Sequence, residues 1–208
     1  MDGAAKSEDV IQKIIKMGDK FICVRGNREK YVIEGMPLEV HDEKVKTSQE
    51  QLDRNEWIKN HLSNSSIEYI HNLPSETTYE VDGKRIYLVH YPIKKDGSFR
   101  KHIKGANLEE NIEMFSGVDS DIYLYGHTHE TIYNKDTNKF YINPGALGCP
   151  GKTNHALYGI LDINDDKIEY KQLSVNYDVQ EVIEDIKNIA FPAYKNVLKV
   201  FYGVDGLV

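Results

Sequence analysis

The 208-residue chain carries 26 Lys and Arg against 33 Asp and Glu, a formal net charge of -7, with 40% hydrophobic and 28% charged residues. That is the balance of a soluble globular protein long enough to bury a full core, and it argues against a surface built throughout for duplex DNA or anionic lipid, which clustered Lys and Arg capture. Cys23 and Cys149 are the only cysteines, too few for a disulfide framework. No apolar run reaches the roughly 18 residues of a bilayer span, and the N-terminus lacks a signal-peptide pattern, so a reduced, cytoplasmic setting without membrane partners is expected.

Ser7 is positioned to cap a helix whose Val10, Ile11, Ile14 and Ile15 recur at helical spacing, with Gly18 as its stop. Phe21–Val24 then reads as a strand buried on both faces, Cys23 within it. Thr47 with Glu50 forms a capping box ahead of a helix carrying Leu52, Trp57, Ile58 and Leu62. A short helical piece through Ile67 and Ile70 stops near Pro74. Asp82-Gly83 is a two-residue hairpin turn between 79–81 and 85–89. Asn107 and Glu110 box another helix with Leu108, Ile112 and Phe115 facing inward. A strand over 121–125 follows, then a hairpin turning at 136–138 and another turning at 164–166, with arms 157–163 and 167–175. Asp178 and Glu181 box the final regular helix, which turns Val179, Val182, Ile183 and Ile186 to a core. Strands alternating with helices early and antiparallel hairpins late predict an α/β (α+β) layered sandwich in one domain.

In such sheets ligands bind outside the carboxyl ends of strands, and three clusters fall there. They are Gly26-Asn27-Arg28-Glu29, His90, and Gly126-His127-Thr128-His129. Two imidazoles one residue apart at the end of a buried strand suit metal ligation, because an extended backbone can aim both at one site. Asn27 offers a hard carbonyl oxygen, and His90 offers a further nitrogen. Arg28 presents a planar fork of donors that matches phosphate oxygens. Taken singly, Gly-Asn-Arg is also an ordinary turn, and a lone His at a strand end is more often hydrogen-bonded than metal-bound. Together the clusters point to metal-assisted attack on phosphorus. His41, His61, His71, His102 and His155 lack this context and read as structural or solvent-facing. Tyr31, Tyr91, Arg100 and Lys101 lie in or beside the loops after these segments, and each suits a pocket wall or an ordinary surface equally.

The ordered set Gly26-Asn27-Arg28-Glu29, His90, Gly126-His127-Thr128-His129 and Asn143-Pro144-Gly145 resembles the calcineurin-like metallophosphoesterase family, in particular its small single-domain bacterial and archaeal phosphodiesterases. The resemblance implies a two-layer β-sandwich flanked by helices with a binuclear metal centre at the strand ends. Asn27, His90 and His127 then correspond to ligands of the second metal and His129 to a ligand of the first, with Arg28 and His90 as catalytic residues and Arg28 also binding substrate. The implied cofactors are divalent ions, Mn foremost, with Fe, Ni, Zn and Mg compatible. The implied substrate is a phosphorylated small molecule or nucleotide, with no stable nucleic-acid complex.

The family's Asp-x-His motif has no counterpart in these residues, and Gly18-Asp19 lies too close to Gly26-Asn27 to act as its Gly-Asp motif. Met1-Asp2-Gly3-Ala4 reads like the segment just after that motif. The expectation is therefore one domain over 1–208 lacking the family's first strand-helix-strand unit, about 30 residues or more. Such a chain would hold at most one ion weakly, through Asn27, His90 and His127, with little phosphodiesterase activity. The alternative is a non-catalytic scaffold or regulatory protein of the same fold. Arg28 replaces the His that serves many relatives as general acid, and a guanidinium stabilises charge without shuttling a proton. An edge left by the absent unit is compatible with a homodimer.

Overall fold

A computed structural model describes residues 6–40, 45–150, 153–164 and 167–204. The Met1–Ala4 register, His41 and the turn at Asp165-Asp166 lie outside them. In chain order the elements are α1 (Ser7–Met17), α2 (Asn27–Glu34), β1 (Glu39–Val40), β2 (Val45–Lys46), α3 (Gln49–Asn60), α4 (Asn64–Asn72), β3 (Glu76–Val81), β4 (Lys84–Val89), α5 (Leu108–Met114), β5 (Ile122–Leu124), β6 (Thr131–Lys135), β7 (Phe140–Pro144), β8 (His155–Asn164), β9 (Lys167–Asn176), α6 (Val179–Ile189) and α7 (Tyr194–Tyr202). They group into two compact units, one of residues 1–73, 148–155 and 176–208, the other of 74–147 and 156–175.

The first unit is helical. α2, α3, α6 and α7 close a core of Val32, Ile58, Ile183, Ile186, Phe191, Val197 and Leu198. α1 is tied to the start of α4 by polar contacts: the Gln12 side-chain amide donates to the hydroxyls of Ser63, Ser65 and Ser66, and the Glu8 carboxylate accepts from the Ser63 N–H. At the other end of α4, Arg25 donates to the carbonyls of His71 and Leu73, two acceptors a helix end leaves over.

Several boundaries differ from the sequence reading. Lys6 occupies the N-cap of α1, which places Ser7 inside the first turn. The box before α3 is Ser48 with Gln51, one residue after the predicted pair. Phe21–Val24 is not a strand: an apolar run becomes one only when a neighbour pairs its backbone, and among the described residues none does. Phe21 and Ile22 are exposed and Cys23 is half-buried, burial still pushing the Cys23 thiol up. The short β1–β2 ladder and α7, beyond the helix predicted to be last, were not anticipated. Ile112, expected to face inward, is exposed.

The second unit is a five-stranded sheet in the order β3-β4-β5-β7-β6, with β4, β5 and β7 parallel and the two edges antiparallel. Asp82 and Gly83 turn the first hairpin at φ 48° and 70°, the left-handed pair such a turn requires. Alternation along the strands sorts side chains cleanly. Tyr87, Val89, Tyr123, Tyr125 and Tyr141 share a core with Met114 and Phe115 from the α5 region. Ile86, Ile122, Phe140 and Ile142 face the other way, against Leu161, Ile163, Ile168 and Tyr170 of β8 and β9. The second unit thus has the expected two sheet layers with a helix outside.

Two outcomes follow from this packing. Ile186 is fully buried, so Ile186→Ala should cost about 2–5 kcal/mol of unfolding free energy in urea titration, whereas Ile112→Ala should stay within about 0.5 kcal/mol; equal costs would contradict the orientations described. Burial pushes the Tyr202 phenol up to about 12 from an ordinary 10.0. Below that ordinary value the phenol is neutral in folded and unfolded chains and contributes nothing. Above it the unfolded chain ionises first, so stability falls as pH rises toward the folded value. The phenolate absorbance that Tyr202→Phe removes, read as a wild-type-minus-variant difference on alkaline titration, should appear only as pH approaches about 12 and move back toward about 10 in denaturant.

Candidate metal centre

Because β4 and β5 run parallel in register, Leu88 beside Leu124, the residues that follow them emerge at the same sheet end. The Gly126 N–H donates to the His90 carbonyl at 2.9 Å, and the Tyr125 N–H to the Ile142 carbonyl of β7 at 3.0 Å. The chain then turns abruptly: the Thr128 N–H returns to the Gly126 carbonyl at 2.9 Å across His127, whose φ is 73°. That is a γ-turn of the rarer, strained hand. His129 also has positive φ, 62°. Histidine tolerates this region better than most non-glycine residues, yet each such residue costs on the order of 1 kcal/mol or more, and the surroundings must hold it.

Asn143 does that holding. Fully buried, its side-chain amide donates to the Gly126 carbonyl and the Thr128 hydroxyl, both at 3.1 Å, while its side-chain oxygen accepts from the Gly145 N–H at 3.0 Å. Gly145 sits at φ 87°, and a Cβ there would meet the Leu157 side chain at 2.9 Å, which accounts for glycine after Pro144 on both conformational and steric grounds.

The result is a convergence of rings. His90 Nε2 and His127 Nδ1 lie 3.1 Å apart. Two nitrogens about 2.1 Å from one ion at a right angle are about 3.0 Å apart, so the pair fits one edge of a metal coordination shell. Phe99 lies nearly parallel to the His127 ring, 18° between planes and 6.0 Å between centres, and meets the His90 ring edge-on at 5.7 Å. The Tyr91 ring is 5.2 Å from His127. Its hydroxyl donates to Met114 Sδ and accepts from the Ile103 N–H, and burial pushes the phenol up. His102, read from sequence as structural or solvent-facing, brings its ring to 5.5 Å from His127.

Of the residues predicted from sequence, the structure brings His90 and His127 together and puts His129 two residues along the same loop. Asn27 and Arg28 belong to the other compact unit, in the first turn of α2, where a loop cluster was expected. There Glu29 accepts from the Gly26 N–H at 3.0 Å, the acidic half of a helix cap, and the Arg28 guanidinium lies 6.0 Å from the Tyr31 ring centre. Among the described residues no three His, Cys, Asp or Glu side chains form a metal cage. Phe99 and His102 were not singled out as site residues, since nothing in a loop's residue spacing reports what it folds against.

Residues 2–166 match the profile of the calcineurin-like phosphoesterase superfamily domain. The chain belongs to that family. An uncharacterized protein of Methanocaldococcus jannaschii is 26% identical over 161 residues, covering 66% of this chain and 60% of that protein. Phosphodiesterase YfcE of Escherichia coli K12 is 40% identical over 43 residues, 21% of this chain and 23% of its own. The fold is shared with a hypothetical protein from Pyrococcus horikoshii (TM-score 0.74, 15% identity, 95% of this chain and 79% of the other). It is also shared with a metallophosphoesterase from Sphaerobacter thermophilus (TM-score 0.66, 16% identity, 95% and 82%).

If Asn143 aims the imidazoles of this phosphoesterase domain, Asn143→Ala should weaken Mn²⁺ binding about 10–100-fold by calorimetry. It should also cost about 1–3 kcal/mol of stability through the acceptors left buried. Undiminished Mn²⁺ affinity in a folded variant would remove Asn143 from the site.

Proposed function

We propose that this chain is the catalytic-type domain of a metal-dependent phosphoesterase acting on phosphodiester or nucleotide-type substrates. The observation that carries the proposal is the meeting of His90 Nε2 and His127 Nδ1 at 3.1 Å, at the carboxyl ends of adjacent parallel strands. His90 and His127 are the residues that would hold a divalent ion, with Asn27 and His129 joining the set by their positions in the family motifs. When bound, such an ion supplies a polarised phosphoryl oxygen and a water acidic enough to attack near neutral pH.

The chain's own residues do the rest. The Asn143 amide and the γ-turn at His127 fix where the imidazole nitrogens point. Phe99 and Tyr91 pack against the rings and restrict how they can rotate. Arg28, by its place in the Gly-Asn-Arg-Glu motif, is assigned charge stabilisation through its planar fork and not proton transfer. The leaving oxygen therefore takes its proton from water or another group, which favours esters with good leaving groups.

The ligand set supports weak binding of about one equivalent of Mn²⁺ by this chain and a low rate on bis-para-nitrophenyl phosphate. His127→Ala should abolish both Mn²⁺ binding and Mn²⁺-dependent hydrolysis. Arg28→Lys should leave Mn²⁺ binding intact and lower kcat/KM about tenfold, the loss of a bidentate contact. A wild-type chain that takes up no Mn²⁺, or a His127→Ala chain that binds it unchanged, would refute the assignment.

A further inference from the structure

The loop that carries Phe99 and His102 to His127 is also the most basic part of an acidic chain. Residues 94–104 hold Lys94, Lys95, Arg100, Lys101 and Lys104 against one acid, Asp96, while the chain as a whole carries -7. The segment is built, not trailing. Arg100 N–H donates to the Pro92 carbonyl and Lys94 N–H to the Ser98 carbonyl, both at 2.8 Å, Ile93 bridges Phe99, and the Ile103 N–H bonds back to the Tyr91 hydroxyl. Asp96 accepts from the Ser98 N–H and hydroxyl, which hold its carboxyl below the usual range, and Glu130 accepts from the Gly105 N–H at 2.7 Å.

Two of the cations are one residue away from rings that touch His127: Arg100 follows Phe99, and Lys101 precedes His102. Both are exposed, as are Lys95 and Lys104. The backbone that bears these charges is thus anchored beside His127 through Phe99 and His102.

From this placement we infer that the loop spanning 92–104 is a second anion subsite of the candidate centre, and that its ligand is a small phosphoester bearing at least one phosphate beyond the scissile group, such as a nucleoside polyphosphate. The inference rests on the metal-centre reading only for where the scissile group sits; the binding itself needs no metal. An exposed guanidinium and two ammonium groups each gain modestly from one phosphate, but a chain of phosphates engages several at once. Phe99 is occupied by stacking on His127, which places recognition in the charges of this arm.

The test is calorimetric titration of inorganic tripolyphosphate in metal-free buffer, beside orthophosphate as the single-phosphate control. Wild type should bind tripolyphosphate more tightly than orthophosphate, and Arg100→Gln/Lys101→Gln/Lys104→Gln should weaken tripolyphosphate by about tenfold or more. Mn²⁺ affinity should stay as in wild type, and Lys13→Gln/Lys16→Gln on α1 should leave tripolyphosphate unchanged. Arg100→Gln alone, checked for native thermal unfolding, should show a partial loss and guards against a misfolded triple variant. Equal affinity for the two anions, an unaffected triple variant, an equal loss with the α1 variant, or tighter binding of a single-stranded oligonucleotide would each overturn the inference. Loss of Mn²⁺ binding in wild type with tripolyphosphate binding intact would instead strike the metal reading alone.

Discussion

The parallel pairing of β4, β5 and β7 is the constraint from which the site follows. Parallel neighbours in register must end together, so the peptides leaving them are brought within hydrogen-bonding reach, as in the bond from Gly126 N–H to the His90 carbonyl. Those strands are buried on both faces, by an aromatic-rich core on one side and by β8 and β9 on the other. A displacement of one strand by a single residue would interchange the two faces. The position of the imidazoles is therefore backed by the whole hydrophobic sorting of the sheet.

Where local chemistry decides, the sequence was readable. Asp82-Gly83, the box of Asn107 with Glu110 and the N-cap Asp178, which lacks the reciprocal bond expected from Glu181, act through side chains and dihedrals that belong to the segment itself, and those elements stand where they were expected. Where pairing decides, it was not. Phe21–Val24 has the composition of a strand but no described partner, and α2 was hidden because Gly26-Asn27-Arg28-Glu29 read as a turn until Glu29 was seen capping it. Ile112 shows the limit of periodicity on a helix of seven residues, where one face is too short to average.

The site shows the same division. His90 and His127 could be named because each closes an apolar strand, a signal carried by adjacent residues. Phe99 and His102 come to His127 through the folding of a loop with no period of its own, and their contacts span more than twenty residues of chain. Asn143 was legible only as part of Asn143-Pro144-Gly145; that its amide would grip the Gly126 carbonyl required the β5–β7 pairing to be known.

The γ-turn at His127 bears on how far the short motif can be trusted alone. A loop that sits uphill in its own backbone preferences keeps its shape only while something outside it supplies the opposing force, here a buried amide on a neighbouring strand. Gly-His-Thr-His is thus one half of a two-part device. Grafted onto another sheet without an asparagine at the matching position, the four residues would relax to an ordinary turn.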